Sequence, residues 1–255
     1  MRSSLKRKQY IQKALDTEGS LRVNVLAEEL SVSEMTIRRD LKELEQEGIL
    51  KRTHGGAVKE VGRRYEPPFN LRQQQHIEEK QRIAQQAVKF VSEGDTIAID
   101  SGTTTIEFAK LLMNFHDLTI VTPSLHIAFL FMSHPSIRTI ISGGEVRSHE
   151  GSLIGEFTTY FFQRLYFDLF FLSTAAVDCN TGFTEYIIED ASIKRITIDH
   201  SKKTIALMNS KKFGQTAFAR VCGFKDIDAL ITGAELTQEM RTLAQSSSVE
   251  TYIQK

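Results

Sequence analysis

Cysteine is scarce in this 255-residue chain: Cys179 and Cys222 are the only two. That excludes a disulfide framework and fits small hydrophobes in a reducing compartment, with a single bridge as the remaining option. Charge of one sign is lacking as well, since 32 Lys and Arg oppose 32 Asp and Glu. Taken whole, that balance speaks against a basic nucleic-acid coat and against an acidic tail. Long hydrophobic runs are missing: Leu165–Val177, the most apolar stretch, is broken by Asp168 and too short for a bilayer. The amino end is basic with no apolar core behind it, so no signal peptide is expected and the expected compartment is the cytoplasm. Hydrophobic residues at 41% and charged residues at 25% suit a packed core rather than disorder. The length allows one large domain or two ordinary ones.

Neutrality is an average. Residues 1–64 hold 14 Lys and Arg against 10 Asp and Glu, a net of +4, and residues 65–255 hold 18 against 22, a net of −4. The chain reads as a basic head on an acidic body.

The head reads as three helices. Leu5–Leu15 places apolar residues at 11, 14 and 15 before a stop at Gly19, and Val25–Leu30 is short. Ser31 and Val32 make a tight turn, and Ser33 is the expected N-cap of a third helix ending at Gly48. Ile37, Leu41 and Leu44 form its apolar stripe, leaving Thr36, Arg38, Arg39 and Lys42 largely outside it. Such a helix fits the major groove, where arginine bonds guanine bidentately. Glu34, Asp40 and Glu43 temper its charge, which suits selective reading. Strand Ile49–Thr53, turn His54-Gly55-Gly56 and returning strand Ala57-Val58 then predict a wing, with Arg52 and His54 near the phosphate backbone or minor groove.

Lys59–Arg72 has no clean periodicity and contains Pro67-Pro68, which forbids helix continuation. We therefore expect a head at 1–60, a linker at 61–72 and a body at 73–255. The body begins with a helix over Arg72–Val91, then alternates strands and helices. Expected strands are Thr96–Asp100, Leu118–Thr122, Ile137–Ser142, Leu169–Ser173, Thr204–Met208 and Ala229–Thr232. Between them fall helices Ile106–Met113, Ser124–Met132, Glu156–Tyr166 and Ala191–His200, and VETYI, after Ser246–Ser248, adds a candidate edge strand. This is an α/β fold with a mostly parallel sheet covered on both faces.

Ligands of such sheets bind at the strands' carboxyl ends. Three motifs stand there: Asp100-Ser101-Gly102-Thr103-Thr104-Thr105, Ser142-Gly143-Gly144-Glu145 and Asn209-Ser210-Lys211-Lys212-Phe213-Gly214. Hydroxyls, free N–H groups and ammonium groups together favour an anion. No Walker A loop and no G-x-G-x-x-G is present, so a nucleotide cofactor is disfavoured, and no cofactor is expected. H-E-x-x-H and C-x-x-C are absent too, so no metal site is expected.

TIRRDL (36–41), EQEG (45–48) and RTHGGAV (52–58) resemble the signature of the DeoR family of bacterial transcription regulators. DSGTTT, VTPSLHIA (121–128), SGGE, DLFFLSTAAVD (168–178) and NSKKFG extend the resemblance over the body. It implies an N-terminal winged helix-turn-helix and a sensor domain similar in fold to ribose-5-phosphate isomerase. DNA-facing residues would be Ser33, Thr36, Arg38 and Arg39. The effector, a phosphorylated sugar, would meet Asp100, Gly102, Thr103 and Thr104, with Gly143, Gly144 and Lys212 around it and Glu145 and Asp178 as further members. Three departures touch that pocket. Pro123 stands where the family usually has Asn, and Asn209 and Gly233 replace common aspartates. Thr122 as N-cap with Pro123 at N1 would still start the helix. The implied function is operator binding by a homodimer or homotetramer, most simply as a repressor of a sugar-metabolism operon, away from any membrane. Activation, or isomerisation of a sugar phosphate by Asp178, Glu185 or Glu145, stays open.

Overall fold

The structure, a computed structural model, describes residues 4–46, 49–59, 62–234, 236, 241–242 and 249–254. Gly48, the expected helix stop, and Ser246–Ser248 lie outside the described residues. The chain divides into two compact units, Met1–Pro68 and Phe69–Lys255.

In the first unit, α1 (Ser4–Glu18) is followed by β1 (Ser20–Arg22), α2 (Val23–Leu30), α3 (Glu34–Gln46), β2 (Leu50–Thr53) and β3 (Gly56–Lys59). Ile11 and Leu15 of α1, Leu26 and Leu30 of α2, and Ile37, Leu41 and Leu44 of α3 are all buried. The three apolar stripes thus form one small core, at about 1.5–3 kcal/mol per buried side chain before entropy. Asp40 departs from expectation. It is not a surface charge on α3 but a buried partner of Arg7, with Nε–Oδ2 at 2.7 Å. The wing is also larger than expected, because β1 joins β3 and β2 in a three-stranded antiparallel sheet. Three residues carry too little pattern to announce a strand. Gly56 permits the pairing, since a Cβ there would lie 1.8 Å from the Leu21 carbonyl oxygen.

The second unit opens with α4 (Phe69–Gln74) and α5 (Ile77–Ala87). One continuous helix over Arg72–Val91 was expected. Instead a helix begins at Phe69, inside the expected linker stretch, and His76 at φ 54° breaks it from the next. Neither Gly nor Pro marks that break. Then come β4 (Thr96–Ile99), α6 (Thr103–Leu112), β5 (Leu118–Thr122), α7 (Leu125–Phe131), β6 (Ile137–Ile141), β7 (Glu145–Arg147), β8 (Ser152–Ile154) and α8 (Glu156–Phe162). β9 (Phe167–Leu172), β10 (Ala176–Asp178), β11 (Gly182–Glu185), α9 (Ile188–Asp199), β12 (Ser201–Met208), β13 (Ala219–Cys222), β14 (Ala229–Gly233) and β15 (Glu250–Gln254) complete it.

Seven strands form the main sheet in the order β15-β14-β12-β9-β4-β5-β6, every pair parallel. Strand alternation divides the apolar residues between two cores. Ala98, Phe170, Leu172, Ala206 and Met208 face one, with Phe162 of α8. Ile97, Ile99, Leu169, Phe171, Ile205 and Leu207 face the other, with Ile83 of α5 and Phe108 of α6. The hairpin β7–β8 and the small antiparallel sheet β10-β11-β13 were not expected. Both cysteines are free, and Cys179 is exposed rather than packed as a small hydrophobe.

Chain order and sheet order together locate a crevice. From β4 the chain moves outward through β5 to β6, then returns to β9 on the other side of β4. The loops after β4 and β9 therefore run in opposite directions, which makes their shared boundary the switch point where α/β sheets receive ligands.

Candidate nucleic-acid interface and anion site

On α3, Ser33 caps the helix as expected: its Oγ accepts from the Thr36 N–H at 3.3 Å and lies 3.0 Å from Thr36 Oγ1. Arg38, Arg39 and Lys42 are exposed. The two arginines are steered in opposite directions, Arg38 toward Glu34 and Arg39 toward Glu43, both at 3.2 Å. Pairs this exposed add little to stability and yield readily to a stronger anion. Arg52 is engaged differently. Its Nε and backbone N–H both reach the Glu45 carboxylate, at 2.6 and 2.9 Å, tying the wing to the end of α3. His54 stands exposed in the wing's turn.

The candidate anion site grows from the ends of β4, β9 and β12. Asp100 is buried, and its Oδ2 accepts from the Ser173 N–H at 3.0 Å. Lys212 Nζ donates to Ser173 Oγ at 3.1 Å and to the Thr174 carbonyl at 2.6 Å. At Gly102 a Cβ would crowd Ser173 Cβ and Oγ at 3.2 Å, so glycine lets the loop after β4 close onto the end of β9. Asp100, Gly102 and Lys212 thus converge on Ser173. α6 starts at Thr103, three residues earlier than expected, so Thr103, Thr104 and Thr105 form its first turn. Their N–H groups have no acceptor within the helix. The Thr105 hydroxyl turns back to the Asp100 and Gly102 carbonyls, but Thr104 Oγ1 is buried without a partner. Ser142 Oγ, Asn209 Oδ1 and Ser210 Oγ share that condition.

Other expected members stand apart. Gly143, Gly144 and Glu145 are exposed beyond the end of β6. Asp178 Oδ1 accepts from the Asn180 and Thr181 N–H groups and closes the β10–β11 turn. Among the described residues no hydrogen bond or ion pair joins these four to Asp100 or Lys212. The expected Thr122 N-cap is corrected too: Ser124 Oγ caps α7 by accepting from Ile127 N–H, while Thr122 Oγ1 donates to the Ile99 carbonyl at 2.7 Å. Pro123 therefore precedes the cap. Gly233 ends β14 in a buried position.

The sequence reading overlooked a charge network beneath the site. Lys194 of α9, fully buried, reaches Asp100 at 2.9 Å, Glu185 at 2.7 Å and the Ser173 carbonyl at 2.7 Å. Burial disfavours its charge, but Asp100, Glu185 and Asp190 outweigh that and hold its pKa above the ordinary lysine value. Burial pushes Asp100 up against the pull of Lys194. Asp190, paired with Arg147, is raised to about 7, by burial first. Lys212 is lowered to about 8 by burial, then by Arg72. Lys80 is lowered to about 8 for the same two reasons, and its Nζ donates to the Arg72 carbonyl. Arg72 itself pairs with Glu150, and Glu79 accepts from the Ser210 N–H at 2.6 Å. No local pattern in the sequence signals that Lys194 is buried, because its partners Asp100 and Glu185 lie on other elements of the fold. A small cavity behind Asp100 and Lys194 is lined by Phe162, Phe170, Ile193 and Thr197 on the α8–α9 face.

A helix-turn-helix with a three-stranded wing, joined in one chain to a parallel α/β body, is the build of a DNA-binding transcription regulator. Residues 7–60 match the DeoR-like helix-turn-helix domain and residues 75–234 the DeoR C-terminal sensor domain. The chain belongs to the DeoR family. It is 32% identical over 247 residues to a lactose phosphotransferase system repressor of Staphylococcus epidermidis, covering 96% of this chain and 95% of that one. To the glycerol-3-phosphate regulon repressor of Escherichia coli it is 34% identical, over 85% of this chain and 86% of the relative. Among solved structures, a ribose-5-phosphate isomerase in complex with phospho-erythronic acid aligns over 54% of each chain at 20% identity, with a TM-score of 0.41. Among the described residues no helix is long and apolar enough to cross a membrane.

Proposed function

We propose that this regulator represses genes of sugar metabolism, and that a phosphorylated sugar bound at the ends of β4, β9 and β12 modulates its hold on operator DNA. The observation that carries the effector is the set of buried, unpartnered Thr104, Asn209 and Ser210 side-chain atoms, which follow β4 and β12. Each unmet buried polar atom costs about 1–3 kcal/mol, a cost that a polar ligand would relieve. Lys212 and the first turn of α6 supply the attraction for a phosphate. Asp100 and Gly102 shape that centre, with Thr103 and Thr104 facing the anion. Gly143, Gly144 and Glu145 form an outer rim, and Asp178 sets a turn rather than touching the ligand. The names of the lactose-system and glycerol-3-phosphate relatives support a phosphate-linked carbon source.

On the DNA side, Ser33, Thr36, Arg38, Arg39 and Lys42 would enter the major groove, and Arg52 and His54 would follow the backbone. Two heads from a homodimer, or pairs within a homotetramer, match two half-sites. Effector control requires that the sugar phosphate bind the DNA-free and DNA-bound states with different affinity. Fluorescence anisotropy on DNA upstream of its own operon, with and without a panel of sugar phosphates, tests both halves. Absence of sequence-selective binding sinks the first; selective binding indifferent to every sugar phosphate sinks the second. Transcription that falls when the regulator is deleted would make it an activator.

Catalysis has one observation behind it, the carboxylates Asp100 and Glu185 beside Lys194. Their oxygens are already engaged by Lys194 and by the Ser173 and Tyr186 N–H groups, which favours structure over proton transfer. Interconversion of aldose and ketose phosphates by the purified chain would reverse that reading.

A further inference from the structure

The outer face of α3 contains one residue that its charge pattern does not explain. Met35 is 80% exposed, the most exposed of the large hydrophobic side chains among the described residues. At 100° per residue it shares a stripe with Arg38, Arg39 and Lys42, at i+3, i+4 and i+7, opposite the buried Ile37, Leu41 and Leu44. It also sits in the first turn, and helical side chains lean toward the N-terminus, so it leads the helix at its entering end. Its polar neighbours are occupied: Ser33 with Thr36, and Glu34 with Arg38.

We propose that Met35 is a specificity-determining residue that reads the 5-methyl group of thymine on the floor of the major groove, an inference that rests on the DNA-reading function above. The base edges exposed in that groove offer hydrogen-bond donors, acceptors and one apolar group, the thymine methyl. Recognition helices bring their N-terminal residues to base edges. A thioether chain with three rotatable bonds adapts to a methyl without a fixed geometry. The arginines and Lys42 on the same stripe supply phosphate and guanine contacts, so Met35 adds selection rather than bulk affinity.

The test begins with selection of a preferred duplex from random DNA by the full-length protein, followed by replacement of each thymine in it with deoxyuridine. Deoxyuridine pairs identically and lacks only the methyl. At one thymine per half-site the native protein loses three- to tenfold in affinity. The Met35→Ala variant binds the thymine duplex that much more weakly and shows no further loss with deoxyuridine. Met35→Gln shifts the selected base toward adenine, whose edge a glutamine amide can bond. Because Met35 is exposed, both variants keep the native melting temperature and native non-specific affinity. A native protein indifferent to every deoxyuridine, or a Met35→Ala variant with the full methyl preference, overturns the assignment. A chain that selects no sequence overturns the DNA-reading function itself and this inference with it.

Discussion

The Ser173 N–H donates to Asp100 Oδ2 at 3.0 Å, locking the carboxyl end of β9 to that of β4. These two strands are neighbours in the sheet, yet the chain leaves them in opposite directions. The bond therefore spans the switch point, and Lys212 reaches the same residue from β12 through Ser173 Oγ. Anything that binds at α6 or at Lys212 acts on one connected polar unit.

Removing the cation beneath that unit should be costly. Lys194→Met leaves Asp100 and Glu185 buried with their charges uncompensated, which costs about 3–5 kcal/mol. Urea unfolding of the full chain measures it. Restoring part of the loss by adding Glu185→Gln would confirm charge, rather than volume, as the cause; no loss in the single variant contradicts the network.

Thr104 allows a cleaner substitution than one that introduces charge. The residue is 1% exposed, and its buried hydroxyl has no partner. Thr104→Val keeps the shape, so stability should hold or rise slightly. Effector affinity should fall by about 1.5–3 kcal/mol if the hydroxyl bonds a phosphate oxygen. Calorimetric titration with sugar phosphates reads the ligand effect, and unchanged affinity moves the ligand elsewhere.

Lys212 gives the site a pH dependence. Its pKa is lowered from 10.5 to about 8 in the folded chain. Below about 8 it is charged in both folded and unfolded states, and its burial cost is fully present. Between about 8 and 10.5 only the unfolded state holds the proton, so the unliganded chain gains stability as pH rises through that window. Effector binding runs the other way, since a phosphate needs the ammonium form, and affinity should decline above pH of about 8. Titration at several pH values checks the sign, with Lys212→Met as the variant expected to lose the slope.

Arg39→Ala should reduce specific DNA affinity by about 1–3 kcal/mol if its guanidinium reads a base. Its Glu43 pair is exposed, so stability should barely change. Anisotropy against the selected duplex and a scrambled one separates specific from general loss. Affinity for each duplex that is unchanged by the substitution removes Arg39 from the interface.

Much of this was legible in the order of residues alone. Period 3.6 in the head, and short apolar runs separated by helical segments in the body, announced helices, strands and a parallel sheet, because burial imposes those patterns directly. Ser33 as a cap and the DSGTTT, SGGE and NSKKFG motifs at strand ends followed from local rules of the same kind. What failed depended on partners distant in the chain. β1 exists because Gly56 lets Ser20–Arg22 approach, Asp40 is internal because Arg7 meets it, and α4 is separated from α5 by a histidine that no local rule marks as a breaker.

The neutral composition was the least informative feature at first sight, and it was resolved by sequence into a +4 segment and a −4 segment. Sequence thus determined the two-part organisation, the helix with a basic outer face and the strand-end motifs proposed to meet an anion, since each rests on neighbours a few residues apart. Tertiary structure decided which motifs meet. Sheet order brought Asp100, Ser173 and Lys212 together, left Glu145 and Asp178 outside, and buried Lys194 beneath them, because strand adjacency is set by packing and not by distance along the chain.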